Sequence, residues 1–136
     1  MPRKFITTGS PYEKLAGYSR AVVDGDWIFV SGTIGADRVT KKLPEGAAAQ
    51  TNAALDTIEW ALAEAKADLM DIVRVRAFVP DPADVEAVSL TLAKRIGAAK
   101  AANTTLCTPL PVAAAKVEIE VTARRRKRPR KTAKRA

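Results

Sequence analysis

The 136-residue sequence contains no histidine and only one cysteine, Cys107. Without a second cysteine, no disulfide can form within the chain. Without imidazole, neither Ser–His nor Cys–His catalysis is available, and a zinc site of the usual His/Cys kind is excluded. Cys107 itself is best interpreted as a small, packed apolar residue. Any chemistry must therefore use carboxylates, tyrosine, lysine, arginine, hydroxyls, backbone groups or bound water.

Long apolar runs are also missing. No stretch reaches the roughly 18–20 apolar residues that span a bilayer, and no apolar signal-peptide region follows the N-terminus. Hydrophobic residues nevertheless make up 47% of the chain, which is enough to bury a core. We therefore expect one compact cytoplasmic domain with no membrane partner.

Acidic residues are absent from one end of the chain. Of the 23 basic residues nine lie in 124–136, which contains none of the 15 acidic residues, so the rest is close to neutral with 14 basic residues. Self-repulsion predicts a disordered tail over residues 125–136. Two interpretations stay open: a solubilising extension, or an arm that binds nucleic acid weakly and nonspecifically through residues 124–136. The arm lacks aromatic residues for base stacking.

Hydrophobic periodicity indicates an α+β fold. After a short extended segment that ends at Ser10-Pro11-Tyr12, the predicted order is β-β-α-β-α-β-β. The predicted strands cover 18–23, 27–32, 71–79, 103–108 and 116–123, and the predicted helices cover 45–67 and 83–96.

Both helices can cover one face of a single mixed sheet. The other face stays uncovered although it includes apolar residues such as Phe78, which favours oligomerisation. The continuous apolar run over 27–30 predicts burial on both faces of its strand. Trp60 lies opposite the apolar stripe of its helix, and its interpretation is open between a buried indole and an exposed or subunit-contact residue.

The last predicted strand alternates without a break. Glu118, Glu120 and Thr122 point to one side, and the intervening apolar residues point to the other. Arg74 and Arg76 likewise share one face of their strand. If the two strands are neighbours, these charged residues form a cross-strand ladder with a structural role.

Several short segments occur in a characteristic order and spacing over residues 4–124. They are Tyr18-Ser19-Arg20-Ala21-Val22, Phe29-Val30-Ser31-Gly32, Gln50-Thr51, Val73-Arg74-Val75-Arg76-Ala77-Phe78 and Val117-Glu118-Ile119-Glu120. Together they resemble the RidA (YjgF-type) family, also called L-PSP endoribonucleases. The resemblance implies a RidA-like domain over residues 1–124 that precedes the basic tail.

The resemblance further implies a chorismate-mutase-like fold and a homotrimer whose sheets form a central barrel. A small-molecule cleft would lie at each subunit interface. The best-known family activity is hydrolysis of enamines or imines derived from amino acids, in which water adds to the imine carbon and ammonia leaves. It requires no metal and no organic cofactor.

Four positions of the family's cleft are kept in this sequence. Tyr18 matches the cleft tyrosine, Ser31 and Gly32 match the turn whose backbone approaches the ligand, and Glu118 matches the glutamate that positions or activates water. The residues alone leave other interpretations open. Tyr18 also fits the core, Ser31 also fits a plain strand end, and Glu118 also fits the structural ladder, in which Glu120 chiefly belongs.

Two positions depart from the family's pattern. Where the family has an arginine that clamps the substrate carboxylate, this chain has Asn103, followed by Thr104 and Thr105. Ser89 replaces a helix asparagine of the family. Loss of a charge-assisted contact removes roughly 1.5–3 kcal/mol of binding. We therefore expect a binding site formed with Ser89, Asn103, Thr104 and Thr105, but weak or absent activity on imines of simple amino acids.

Two further hypotheses compete with an imine deaminase. One is a non-catalytic ligand-binding or chaperone-like trimer on the same fold. The other is an RNA-associated protein that acts through its basic tail. A true nuclease is disfavoured because the sequence has no histidine and no evident metal site.

Overall fold

The computed structural model describes residues 2–127. Within this range the chain forms a six-stranded sheet, three α-helices and three short 3₁₀ turns. The strands are β1 (Lys4–Ile6), β2 (Ala21–Asp24), β3 (Trp27–Ile34), β4 (Ile72–Phe78), β5 (Ala102–Leu106) and β6 (Glu118–Arg124), and the helices are α1 (Pro11–Ala16), α2 (Ala47–Glu64) and α3 (Val85–Ile96). The 3₁₀ turns are Leu69–Asp71, Pro82–Asp84 and Gly97–Ala99.

The sheet has the strand order β1-β2-β3-β6-β4-β5. Its pairs are antiparallel except for β4 and β5, which run parallel and are joined through α3. A parallel pair needs such a crossover, because a tight hairpin can join only antiparallel strands. The predicted mixed sheet and α+β class are confirmed.

The core lies between the sheet and the helices α2 and α3. The predicted inner stripe of α2 is confirmed, with Leu55, Ile58 and Leu62 fully buried. On the sheet side they meet buried residues of β6 that include Ile119 and Val121. Burial of each such side chain contributes about 1.5–3 kcal/mol, so this layer fixes the orientation of β6.

The sequence pattern predicts only a break at Ser10-Pro11-Tyr12, whereas the structure has a helix there, α1. Ser10 caps the helix, because its hydroxyl accepts a hydrogen bond from the Tyr12 N–H at 3.3 Å. Pro11 occupies the first helical position, where its missing N–H costs nothing. Gly17 ends the helix with φ of 72°, a conformation that glycine adopts without strain. Tyr18 therefore follows a helix, and β2 begins three residues later than predicted.

The predicted burial of β3 on both faces is wrong for the isolated chain. Ile28 and Val30 are buried against the helices, whereas Trp27 and Phe29 are 43% and 48% exposed on the other side. We call this uncovered side the open face of the sheet. It presents Phe5, Val22, Trp27, Phe29, Arg74, Arg76, Phe78, Glu118, Glu120, Thr122 and Arg124.

Trp60 lies on α2 at the margin of the core. It is partly buried against the hydrophobic core, and the Arg38 guanidinium lies 4.1 Å from the centroid of its ring. A guanidinium at this distance makes a cation–π interaction. The Trp60 indole is therefore partly buried, and its ring is covered by Arg38 of the same chain.

The chain remains in contact with the folded body for two residues after its last strand. The Arg125 N–H donates to the Asp26 carbonyl at 2.8 Å, and the Arg126 Nε donates to Asp71 Oδ1 at 2.7 Å. The contacts of the folded body therefore extend to Arg126, two residues past its last strand. The predicted disorder of the tail concerns residues that mostly lie outside the described range. No helix in residues 2–127 has the length and apolar character needed to cross a membrane.

Candidate functional site

Glu118 begins β6 on the open face of the sheet. Its strand neighbours there are Ile34 of β3 and Phe78 of β4. The register between β3 and β6 shifts between Val30 and Thr33, and this irregularity turns the backbone of Ser31 and Gly32 toward the glutamate. The Glu118 carboxylate lies directly against Gly32, because a methyl group at position 32 would overlap Glu118 Oε1. Glycine thus allows this close approach, which an alanine would permit only if the Glu118 side chain moved aside.

The electrostatic environment of Glu118 favours its protonated form. Burial raises the pKa of the Glu118 carboxyl above its ordinary value, the positive charge of Arg20 partly opposes this, and the negative charge of Glu120 adds to it. A carboxyl that is easier to protonate than a solvated glutamate suits proton transfer to and from water.

Arg20 is buried beside Glu118 and organises the bend in β3. Its Nη1 donates to the Gly32 carbonyl and to the Thr33 hydroxyl, both at 2.8 Å. Its Nη2 contacts the Tyr18 hydroxyl at 3.5 Å. A guanidinium carries its donors in a rigid fork, so one side chain fixes all three groups relative to one another.

Glu13 of α1 provides the countercharge of Arg20. Its Oε2 lies 3.9 Å from Arg20 Nε, and both side chains are buried. The carboxylate also accepts hydrogen bonds from the Thr8 N–H at 3.2 Å and from the Thr8 hydroxyl. The pair is electrically neutral, which leaves Glu118 as the group that sets the net charge of the site. We refer to Glu13, Tyr18, Arg20, Gly32 and Glu118 as the Glu118 cluster.

Tyr18 and Ser31 differ in the hydrogen-bonding capacity that they leave for a ligand. The Tyr18 side chain is partly exposed, and its hydroxyl finds no acceptor among residues 2–127, so its proton is available to a ligand. The Ser31 hydroxyl instead donates to the Ser19 carbonyl at 2.6 Å, while the Ser31 N–H donates to the Arg20 carbonyl. The Ser31 side chain therefore joins β3 to the segment before β2.

The remaining predicted site residues lie elsewhere on the chain. Asn103 and Thr105 are on the edge strand β5, at positions in register with Val75 and Ala77, whose side chains face the helices. The Thr105 hydroxyl donates to Asn103 Oδ1 at 3.1 Å. Thr104 is in register with Arg76 on the open face.

Ser89 is exposed on α3, across the sheet from Glu118. A single chain thus brings Tyr18, Ser31, Gly32 and Glu118 together, and it keeps Ser89, Asn103, Thr104 and Thr105 apart from them.

Of the charge ladder expected between β4 and β6, the structure contains one rung, because Arg74 is in register with Thr122 and Glu118 with Phe78. Arg76 Nη1 lies 3.3 Å from Glu120 Oε1, and these residues are in register. Glu120 is therefore occupied by an ion pair on the open face, whereas Glu118 stands opposite the apolar Phe78. The different neighbours give the two glutamates different roles, a distinction that the alternation of apolar and polar residues in the sequence could not make.

Gln50 fixes the chain just before Glu118. Its Nε2 donates to the Pro44 carbonyl at 3.1 Å and to the Ala114 carbonyl at 3.3 Å, and its Oε1 accepts from the Lys116 N–H at 2.8 Å. One buried amide thereby holds two loops together and fixes the start of β6.

Sequence reasoning missed the roles of Glu13 and Arg20. The spacing Ser10-x-x-Glu13 is that of a capping box and could have predicted α1 together with an acidic residue at its third position. The position of Arg20, two residues before Val22 of the open face, could have placed it on the same side as Glu118. Among residues 2–127, no group of three or more acidic or cysteine side chains is arranged to hold a metal ion.

Comparison with known proteins places this geometry in context. The family model described as Endoribonuclease L-PSP matches residues 8–125. The RutC family protein UK114 of Drosophila melanogaster is 34% identical over 88 residues, and the match covers 64% of each chain. A RutC family protein encoded in the leuC 5' region of Leuconostoc mesenteroides subsp. cremoris is 30% identical and covers 90% of this chain and 98% of its own.

A solved structure gives the same result. Rv2704 of Mycobacterium tuberculosis, described as a member of the YjgF/YER057c/UK114 family, superposes with a TM-score of 0.82. It is 35% identical in sequence, and the superposition covers 90% of this chain and 99% of that one.

Proposed function

Since the chain belongs to the L-PSP endoribonuclease family, the RidA/YjgF proteins, we propose that it forms a homotrimer with a small-molecule cleft at each subunit interface. In this cleft it hydrolyses an enamine or imine of a kind other than the usual amino-acid-derived one. The reaction needs no metal and no organic cofactor. The observation that carries this proposal is Glu118, a half-buried carboxyl with a raised pKa that lies against the Gly32 backbone.

The proposed reaction begins with water at the Glu118 carboxylate. As the water oxygen bonds to the imine carbon, its proton passes to Glu118, which then returns it to the imine nitrogen. In the resulting carbinolamine, Glu118 takes the hydroxyl proton and passes it to the amino nitrogen as the carbon–nitrogen bond breaks, so that the nitrogen leaves as ammonia. The products are a carbonyl compound and ammonia. The Tyr18 hydroxyl donates to a ligand oxygen or nitrogen and orients it.

The preference for an imine without a carboxylate follows from the charges at the site. Arg20 is already engaged by Glu13, the Gly32 carbonyl and the Thr33 hydroxyl, so it is not a free clamp. An ionised Glu118 would repel the carboxylate of a ligand bound next to it. The Asn103 amide supplies hydrogen bonds but no charge to compensate for that repulsion.

The proposed trimer accounts for the open face. Phe5, Trp27 and Phe29 expose about half of their surface there, which is unusual for aromatic side chains on one sheet face. The proposed cleft would also require that Asn103, Thr104 and Thr105 at the edge strand β5, and Ser89 on α3, lie near the Glu118 cluster of a neighbouring subunit. Sedimentation equilibrium tests this point, with three chain masses as the expected result; a monomer would contradict it.

The activity is tested with imines generated in solution by two oxidases. An amine oxidase produces an imine without a carboxylate, and an L-amino-acid oxidase produces imino acids. We expect the protein to accelerate ammonia release in the first assay and to have little effect in the second. Glu118→Gln should abolish the acceleration, whereas the matched variant Glu120→Gln should retain it.

Two outcomes would contradict the proposal. Equal acceleration in both assays would refute the substrate preference. No acceleration in either assay, together with saturable binding of an imine analogue, would support the non-catalytic ligand-binding trimer that the replacement of the family's arginine by Asn103 also favours.

We further propose weak nucleic-acid binding through residues 124–136. Arg124, Arg125 and Arg126 are engaged by Trp27, Asp26 and the carboxylates of Asp68 and Asp71, so the residues beyond 127 would supply most of the available charge. Truncation after residue 127 should remove salt-sensitive binding of single-stranded RNA in a filter assay. Unchanged binding by the truncated protein would refute this role.

A further inference from the structure

Arg74 lies on the open face near the centre of the sheet, on β4. It is in register with Thr122 of β6, while Arg76, two residues along on the same face, is in register with Glu120. Arg76 is neutralised by its ion pair with Glu120 at 3.3 Å. Arg74 makes no ion pair or hydrogen bond with any residue in the described range. A regular charge ladder would place an acid opposite each arginine, and here the second acid is replaced by a hydroxyl.

The other charges of the open face do not compensate Arg74. Glu118 lies at the far end of β6 beside Arg20, and Asp24 is paired with Arg3 at 3.0 Å. Arg124 adds a further positive charge, since its guanidinium lies 5.5 Å from the Trp27 ring rather than beside an acid. The middle of this face therefore carries an excess of positive charge.

A cavity of about 220 Å³ lies directly over these side chains. Its polar walls are the side chains of Arg74, Arg76, Glu120 and Thr122, and its apolar wall is Phe29; Val30 and Val121 also line it, although their side chains are buried toward the helices. The guanidinium groups of Arg74 and Arg76 and the Thr122 hydroxyl thus line one cavity with Phe29, and the Glu120 carboxylate there is already paired with Arg76. This composition matches a small anion with several oxygens, because guanidinium donates parallel hydrogen bonds to such groups.

We propose that Arg74, with Arg76 and Thr122, forms a binding site for a small oxyanion on the open face of the sheet. The site is separate from the Glu118 cluster, and its ligand class is a phosphate or a small carboxylate. The inference rests in part on the proposed trimer. If neighbouring copies cover this face, an unpaired Arg74 is costly to bury, and a bound anion removes that cost.

Thermal unfolding of the full-length protein tests the site. Inorganic phosphate and malonate are titrated separately at constant ionic strength with sodium chloride as the balance, so that the two arms distinguish the two kinds of oxyanion. For the wild type we expect at least one of them to raise Tm by about 4 °C at a tenfold excess over its Kd. Arg74→Gln should reduce that shift to below about 1 °C.

Control variants separate the site from general salt effects. Arg95→Gln removes an arginine that pairs with Asp56 at 2.9 Å on the helix side, and it should keep the wild-type shift. General stabilisation by phosphate acts equally on all variants, and anions held by the basic residues of 124–136 are held equally by all of them, because this segment is unchanged. Only the difference between variants therefore reports the site.

Equal Tm shifts in the wild type and Arg74→Gln would overturn the proposal, as would no shift in either arm for the wild type. Should Arg74→Gln not fold, Arg74→Lys replaces the fork with a point charge and should at least halve the shift; a wild-type shift in that variant overturns the proposal equally. The outcome is distinguishable from failure of the proposed function, because an Arg74-dependent shift in a protein without imine hydrolysis leaves this site standing.

Discussion

The Glu118 carboxylate packs against the Cα of Gly32, with no space for a side chain between them. The contact joins the first residue of β6 to the irregular part of β3, whose carbonyl at Gly32 is also held by Arg20. The position of the Glu118 carboxyl, whose pKa is raised by burial, is therefore set by backbone geometry and by a buried guanidinium. This arrangement makes the site sensitive to changes of a single methyl group.

Gly32→Ala should reduce activity without unfolding the protein. The added methyl would meet the far end of the Glu118 side chain, which can rotate away at small cost. A displacement of about 1 Å at a reacting group typically lowers the rate by about 100-fold. We expect kcat/KM to fall by about that factor, with Tm within a few degrees of the wild type.

The matched control is Gly35→Ala. A methyl group at position 35 would overlap the backbone carbonyl of Gln50, which is fixed in α2 and cannot move aside. Here we expect a loss of about 1–3 kcal/mol in the free energy of unfolding. The assignment of Gly32 to activity and of Gly35 to stability is contradicted if Gly32→Ala is the less stable of the two variants and retains full activity.

The raised pKa of Glu118 predicts a pH-dependent effect of Glu118→Gln on stability. Between the ordinary pKa of 4.5 and the higher folded-state pKa, the native protein binds more protons at Glu118 than the unfolded chain. Stability therefore falls as pH rises through this window, and the unfavourable contribution is fully present above it.

Glu118→Gln removes this contribution, so the variant should be more stable than the wild type at pH 7. The difference should disappear below about pH 4, where both states of the wild type are protonated. Urea unfolding at both pH values measures it. A variant less stable than the wild type at pH 7, with no change on acidification, would show that the carboxylate is a stabilising group.

Arg20 and Glu13 should behave as a coupled pair. Arg20→Gln leaves Glu13 buried without its countercharge and should cost about 3–5 kcal/mol of stability. The double variant with Glu13→Gln should recover part of this loss, which a double-mutant cycle measures. Additive single effects would contradict the coupling.

The same variant should change the pH profile of activity. Because the charge of Arg20 lowers the pKa of Glu118, Arg20→Gln should shift the acidic limb of kcat/KM to higher pH. A residue with a purely structural role would reduce the rate without moving this limb. The conservative variant Arg20→Lys should keep the limb near its wild-type position.

Sequence patterning predicted the elements that repeat regularly, because burial imposes their period. The stripe of α2 and the alternation of β6 are of this kind, and both agree with the observed burial. The alternation also showed that Glu118 and Glu120 share a face. It could not distinguish them, because their difference arises from neighbours on other strands: Arg76 opposite Glu120, and Phe78 opposite Glu118.

Features that depend on a single local contact were harder to predict. The helix α1 is only six residues long, so its caps carry the signal rather than any apolar period. The apolar run over residues 27–30 predicted burial on both faces of β3, but Phe29 is exposed. An apolar strand face that awaits a proposed partner subunit has the same sequence pattern as a face buried within the chain. The role of Arg20 required the fold itself, since its partners come from α1 and β3.

Asn103→Arg should broaden the substrate range toward imines that carry a carboxylate. The side chain of Asn103 is exposed on β5, so the larger residue fits without disturbing the core. If Asn103 lies in the proposed cleft, a guanidinium there would add a charge-assisted contact of roughly 1.5–3 kcal/mol. We expect ammonia release from 2-aminoacrylate to rise by about 10-fold or more, whereas the neutral variant Asn103→Gln should not change it. No gain with arginine would indicate that the rest of the cleft does not admit the substrate.

The start of the basic tail should contribute to stability through Arg126. Asp71 is buried, and burial alone would raise the pKa of its carboxyl; hydrogen bonds from the Asp68 N–H and from Arg126 outweigh this and hold it below the ordinary value of 3.8. The Arg126 side chain also reaches Asp68 Oδ1 at 3.0 Å. Arg126→Ala should therefore lower the free energy of unfolding by about 2 kcal/mol at pH 7.

The pH dependence of this contribution has the opposite sign to that of Glu118. A lowered folded-state pKa gives stability that is present above pH 3.8 and is lost as pH falls through the folded value. The difference between the wild type and Arg126→Ala should thus shrink below pH 3.8. Lys127→Ala is the matched control, since it removes one positive charge without a contact to either aspartate, and it should change stability by less than about 0.5 kcal/mol. Equal losses in the two variants would mean that total charge, rather than the Asp71 contact, links the tail to the fold.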